Sequence, residues 1–99
     1  IVDAVGKRIA VIVDSGFRRG SDIVKALALG ANAVFIGRAT LYGTAVGGEA
    51  GATRAIDLLR EEIDRVLALL GCRDVADLNG DYLMLPQSMQ THAAIGRCA

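Results

Sequence analysis

The residue types that could do chemistry fall in two short stretches. In the first, Asp14-Ser15-Gly16-Phe17-Arg18-Arg19-Gly20, a carboxylate is followed by two arginines bracketed by glycines. In the second, Gly37-Arg38, a glycine leads directly into an arginine. A guanidinium presents a planar fork of donors that suits a dianion, and glycine lets the backbone turn tightly and bring its N–H groups close. Two neighbouring segments that each deliver a glycine and an arginine to one edge describe a phosphate site. Arg18 and Arg38 are its expected cations; Arg19 reads as a surface or structural arginine.

The elements that must position these groups follow from the flanking patterns. Ile9 to Val13 is an unbroken apolar run, suited to a strand buried on both faces of a parallel sheet. Asp14 then stands at the carboxyl end, where open sheets and barrels place ligands. A helix is expected from about Asp22 to Leu29, capped by Ser21 or Gly20 and stopped at Gly30. Ala33-Val34-Phe35-Ile36 is the second strand, ending in Gly37-Arg38. Ile1 to Arg8 reads as a helix tail closed by Gly6.

After Arg38, residues Ala39 to Val46 suit a short helix closed by Gly47-Gly48. A long amphipathic helix is expected from about Ala50 to Leu70, with Ile56, Leu59, Ile63, Val66, Leu67 and Leu70 as its stripe. Arg60–Asp64 and Glu61–Arg65, four apart and of opposite sign, are its expected surface pairs. Gly71 ends it as a left-handed cap, and Asp74 to Leu78 suits one further turn. Leu85 to Ala99 reads as an extended or mobile tail. The order of strands and helices without a hairpin signal means parallel strands with helical crossovers. A doubly wound sheet and a barrel both satisfy it. The short helix after the second strand favours the carboxyl-terminal quarter of a (β/α)₈ TIM barrel, an α/β fold in which strands seven and eight carry the phosphate site.

Composition narrows the function classes. The chain is 53% hydrophobic with 12 further glycines, rich for a self-contained small domain and better suited to part of a larger core. Starting at Ile1 without methionine, it is expected to be processed, truncated or excerpted. Formal net charge is zero with no basic block, so no nucleic-acid footprint exists. The uncharged run Ala26 to Gly37, at 12 residues, is too short to span a bilayer. Cys72 and Cys98 lack metal-ligand spacing and read as reduced structural thiols; no metal site is expected.

The ordered set Asp14-Ser15-Gly16-Phe17-Arg18-Arg19-Gly20, Lys25-Ala26-Leu27-Ala28-Leu29-Gly30-Ala31, Gly37-Arg38, Gly48-Glu49-Ala50-Gly51 and Gly71-Cys72-Arg73 resembles the FMN-dependent α-hydroxy-acid oxidases and dehydrogenases. The resemblance covers residues 1–83, with 84–99 as a tail. Ser15, where many members carry a second glycine, together with Ala39-Thr40-Leu41-Tyr42-Gly43, points to the mandelate dehydrogenase branch. The resemblance implies FMN as cofactor, with Asp14 accepting from the ribityl hydroxyls. Gly16, Arg18, Gly37 and Arg38 would contact the FMN phosphate, and Ser15 and Phe17 complete the cofactor loop. It also implies a small 2-hydroxy-acid substrate such as mandelate or lactate, an electron acceptor that this stretch does not specify, and a homo-oligomer, a tetramer, for the complete enzyme. The expected location is the cytoplasm, with peripheral membrane attachment through a segment outside this stretch as the alternative.

The family's proton-abstracting histidine and substrate-binding arginine come from an Asn-His-Gly-x-Arg segment absent here, as is its flavin-side lysine. His92, in Gln-Thr-His-Ala-Ala, has no neighbours to orient it, and Tyr42 and Tyr82 read as packing residues, so no catalytic residue is expected in this stretch. Two other readings remain at this point. One is a different phosphate-binding barrel, such as an inosine-monophosphate dehydrogenase or a type 2 isopentenyl-diphosphate isomerase, against which Arg18-Arg19-Gly20 and Gly37-Arg38 argue. The other is a non-catalytic phosphate-binding module.

Overall fold

A computed structural model describes residues 1–88. His92, Cys98 and the tail beyond Ser88 lie outside the described residues. Within them the order is α1 (Val2–Val5), β1 (Ile12–Val13), α2 (Gly20–Ala28), β2 (Ala33–Val34) and α3 (Arg38–Leu70). Two 3₁₀ turns follow, at Val75–Asp77 and Gly80–Tyr82.

The strands are parallel, with Ile12 opposite Ala33 and Val13 opposite Val34, joined by α2 as the crossover. This is the parallel α/β arrangement that the apolar runs imply. The ladder is shorter than the expected Ile9–Val13 and Ala33–Ile36, because each strand has one neighbour and Ile9 and Ala10 have none to pair with. It is lengthened by other bonds. Phe35 N donates to Val13 O at 2.9 Å beyond the carboxyl end. At the amino end Asn32 N donates to Val11 O, and Asn32 Oδ1 accepts from Val11 N, both at 2.8 Å.

Helix α2 starts two residues before the expected Asp22. Its N-cap is Arg19, in extended conformation, rather than Ser21 or Gly20. The Asp22 carboxylate reaches back and accepts from Arg19 N at 3.0 Å and Arg18 N at 3.2 Å, so the acidic residue of the first turn satisfies two N–H groups of the preceding loop. The apolar face of α2 buries Ile23, Val24 and Ala28, which join Ala31, Leu59, Leu67 and Cys72 to form the core.

The two helices expected after Arg38 run as one element, α3, interrupted where expected. Gly47 and Gly48 leave helical geometry, Gly48 with φ 60° and ψ −139°, a conformation suited to glycine. Of the amphipathic stripe, Leu59 and Leu67 are buried while Ile56 and Leu70 stay substantially exposed. Neither Arg60–Asp64 nor Glu61–Arg65 forms; the ion pairs among the described residues are Arg54–Glu61, two helical turns apart, and Arg19–Glu62. Gly71 closes α3 in the left-handed conformation at φ 70°, with N–H bonds back to Ala68 and Leu67, as its position implied.

Candidate functional site

Both strands end at the same edge, and a cleft of about 590 Å³ opens there. Its lining comprises all seven residues singled out from the sequence: Asp14, Ser15, Gly16 and Phe17, with Arg18, Gly37 and Arg38. Phe35, Ala39 and Tyr42 complete it.

Local geometry explains how each group arrives. Val13 is the last residue of β1, so the chain leaves the sheet at Asp14, whose Oδ1 accepts from Ser15 N at 2.7 Å. Ser15 and Gly16 both have positive φ, 82° and 83°, and Ser15 is the one described non-glycine residue in that region. This left-handed pair reverses the loop. An added Cβ at Gly16 or Gly37 would meet nothing within 4 Å, so both backbones face open space. Arg38 is the first residue of α3, directly after the Gly37 N-cap, and so stands at a helix amino end as well as at a strand's carboxyl end. The partial positive charge of that end adds to its own.

Charge pairing separates the arginines. Arg19 binds Glu62, Nη2 to Oε1 at 2.9 Å, in keeping with the structural reading of this residue. Arg18 and Arg38 have no carboxylate partner among the described residues, although Asp14 lies in the same cleft. Glu62 also accepts from Gly20 N through Oε2 at 2.6 Å. The Gly20 N–H first, and then the Arg19 guanidinium, hold its carboxyl below the ordinary value of 4.5.

Three lining residues escape sequence reasoning. Tyr42 is corrected from a packing residue to a cleft wall, 63% exposed. Its signal was its spacing, four residues after Arg38 on one helical face. Phe35, 59% exposed, follows β2 directly, where an apolar run gives no warning that its last members face a cleft. Ala39 carries no chemical signal. Tyr82 lies away from the cleft beside Cys72, whose thiol pushes its phenol above the ordinary value.

The donor set, two unpaired guanidinium groups with glycine backbones and one carboxylate acceptor, fits an anionic ligand that also carries hydroxyl groups. The cleft volume falls in the range of small-molecule and cofactor sites, roughly 300–1,000 Å³.

The chain is 63% identical over 73 residues to (S)-mandelate dehydrogenase of Pseudomonas putida, covering 74% of this chain and 19% of that enzyme. It is 49% identical over 85 residues to an L-lactate oxidase of Nostoc sp., covering 86% of this chain and 23% of the oxidase. A crystal structure of (S)-mandelate dehydrogenase, described as a monotopic membrane protein, superposes with a TM-score of 0.80 at 58% identity over 84% of this chain and 22% of that one. The chain thus spans about a fifth of the length of these relatives and matches a portion of the TIM-barrel fold of FMN-dependent enzymes. Residues 1–85 match the family described as FMN-dependent dehydrogenase, two residues beyond the boundary expected from sequence. FMN is the cofactor of that family, and the chain belongs to it.

Proposed function

We propose that this chain supplies the FMN-phosphate site of an FMN-dependent (S)-2-hydroxy-acid oxidoreductase. One observation carries the reading: Arg18 and Arg38, delivered by the loops of two adjacent parallel strands, line one cleft without carboxylate partners. In this reading β1 and β2 are strands seven and eight of the barrel, residues 1–83 belong to it, and 84–99 are a tail.

Asp14, Ser15, Gly16, Phe17, Arg18, Gly37 and Arg38 hold the cofactor. Arg18 and Arg38 face the phosphate with the Gly16 and Gly37 backbones. Asp14 keeps acceptor capacity for ribityl hydroxyls, since one of its two oxygens is bonded to Ser15 N. When bound, FMN would supply a two-electron acceptor, so that a 2-hydroxy acid could become a 2-oxo acid by losing two electrons and two protons, one from its carbon and one from its hydroxyl. In this reading the base that takes the hydroxyl proton belongs to the rest of the enzyme. The family match favours this over the other phosphate-binding barrels and the non-catalytic module. Mandelate is the favoured substrate, because the relative named for it has the higher identity of the two compared, and lactate the next. No helix among the described residues is long and apolar enough to cross a membrane.

The test compares FMN with riboflavin, which lacks the phosphate, in the complete protein carrying this chain. Arg38→Ala should weaken FMN about ten- to a hundredfold and leave riboflavin nearly unchanged. Equal weakening of both would make Arg38 structural and refute the site.

A further inference from the structure

Arg18 and Arg19 are adjacent and carry the same charge, yet one lines the cleft and the other does not. Arg19 is extended, φ −127° and ψ 155°, and neighbouring side chains in extended backbone point to opposite sides. Something must decide which arginine takes which side. The structure holds Arg19 by its guanidinium on Glu62 Oε1 at 2.9 Å, and holds the next residue by Gly20 N on Glu62 Oε2 at 2.6 Å. One carboxylate, 42 residues away in sequence, therefore grips two consecutive residues. Gly20 is buried against the same turn of α3: a Cβ there would lie 2.5 Å from Glu62 Cβ and 2.6 Å from Ile63 N. The loop cannot back away from Glu62 without opening that contact. Asp22, bonded to Arg18 N and Arg19 N, fixes the same segment from the helix side.

We propose that Glu62 is a positioning residue of the phosphate site: by taking Arg19 and the Gly20 N–H to itself, it sets Arg18 as the arginine that faces the anion. The inference rests on the FMN-phosphate reading above and adds a residue outside the cleft to it. Glu62 does not line the cleft. Its effect reaches the site through the backbone between Arg18 and Gly20.

The experiment uses the complete protein with FMN and riboflavin as probes, measuring dissociation of each by recovery of flavin fluorescence. Glu62→Ala should weaken FMN about tenfold, the low end for residues that orient a ligand-binding group, and move riboflavin less than about twofold. Glu62→Gln keeps an acceptor for Gly20 N but loses the ion pair, so it should fall between wild type and Glu62→Ala; it also carries the test if Glu62→Ala does not fold. Arg54→Ala removes the other ion pair, neither member of which lines the cleft, and should leave both flavins unchanged. Equal loss of FMN and riboflavin, or no loss of either, would overturn the inference. Arg38→Ala run in parallel separates the two readings. If it is selective for FMN and the Glu62 variants are not, the positioning role alone falls. If it too affects both flavins equally, the phosphate site falls and the inference with it.

Discussion

Gly43 and Gly51 lie backbone to backbone across the bend at Gly47-Gly48. A Cβ on Gly43 would come within 2.9 Å of the Gly51 carbonyl carbon, and one on Gly51 within 2.8 Å of the Gly43 carbonyl carbon. The helical segment that begins with Arg38 is thereby folded tightly onto the segment that carries Glu62. Gly51→Ala should lower stability by about 1–2 kcal/mol, overpacking exceeding the helix-propensity gain of alanine. Gly80→Ala, with open space around it, is the control and should change stability by less than about 0.5 kcal/mol. Denaturant unfolding of the complete protein measures both; equal stability of Gly51→Ala and wild type would contradict the close approach.

The positive φ of Ser15 gives a second prediction. A residue with a side chain in that region costs roughly 1–2 kcal/mol, partly offset because glycine gives the unfolded chain more freedom. Ser15→Gly should therefore stabilise by about 0.5–1 kcal/mol, and Ser15→Val, branched at Cβ, should destabilise. A Ser15→Gly protein that melts below wild type would show that the hydroxyl matters more than the backbone.

Acid should loosen the same corner. Glu62 is held below its ordinary 4.5 by the Gly20 N–H and then Arg19, and Asp22 below its ordinary 3.8 by the N–H groups of Arg19 and then Arg18. A carboxyl whose folded pKa is depressed contributes stability that is complete above its unfolded value and is lost as pH falls through the folded one. Stability should be flat from neutrality to about pH 5.5 and decline below the 4.5 of unfolded Glu62, continuing below the 3.8 of Asp22. Glu62→Gln should flatten the first part of that decline. An unchanged acid limb in this variant would refute the assignment.

Arg38→Lys tests geometry separately from charge. Lysine retains the cation but not the planar fork, so its FMN affinity should lie between wild type and Arg38→Ala. An affinity equal to wild type would mean that the site reads charge alone.

The isolated 99-residue chain should not behave as a cooperative domain. No described side chain is completely buried, while Ile12 is 50% and Val46 90% exposed, and each strand has one unpaired edge. Aggregation or a dye-binding, molten state is expected, with no turnover of mandelate or lactate when FMN is added. A sharp two-state melt with dispersed amide resonances would contradict this.

Seven of the ten cleft residues were legible in the sequence because their signal is local: an apolar run that stops at Asp14, then glycines and arginines at fixed offsets. Helix ends marked by glycine, at Gly47-Gly48 and Gly71, were legible for the same reason. Strand length was not, since the extent of a ladder depends on how many neighbours it has rather than on its own residues. Nor was the role of Glu62. Tandem Glu61-Glu62 on a helix suggests i,i+4 partners, and only the folded chain shows that one reaches Arg54 two turns back while the other turns to a loop 42 residues away. Phe35 was missed as a cleft residue because an aromatic side chain in an apolar run looks the same whether it faces a core or a ligand, and the signal of Tyr42 was confined to its spacing from Arg38.

Asn32 closes a ring with Val11 through one main-chain and one side-chain bond, and so acts as a register stop for β2. Were β2 to slip by one residue against β1, its side chains would exchange faces, and Gly37-Arg38 would sit one step too high or too low against Asp14. The two loops would then no longer open at the same level. A residue at the far end of the strands, outside the cleft lining, thus indexes the height at which the two arginine-bearing loops open.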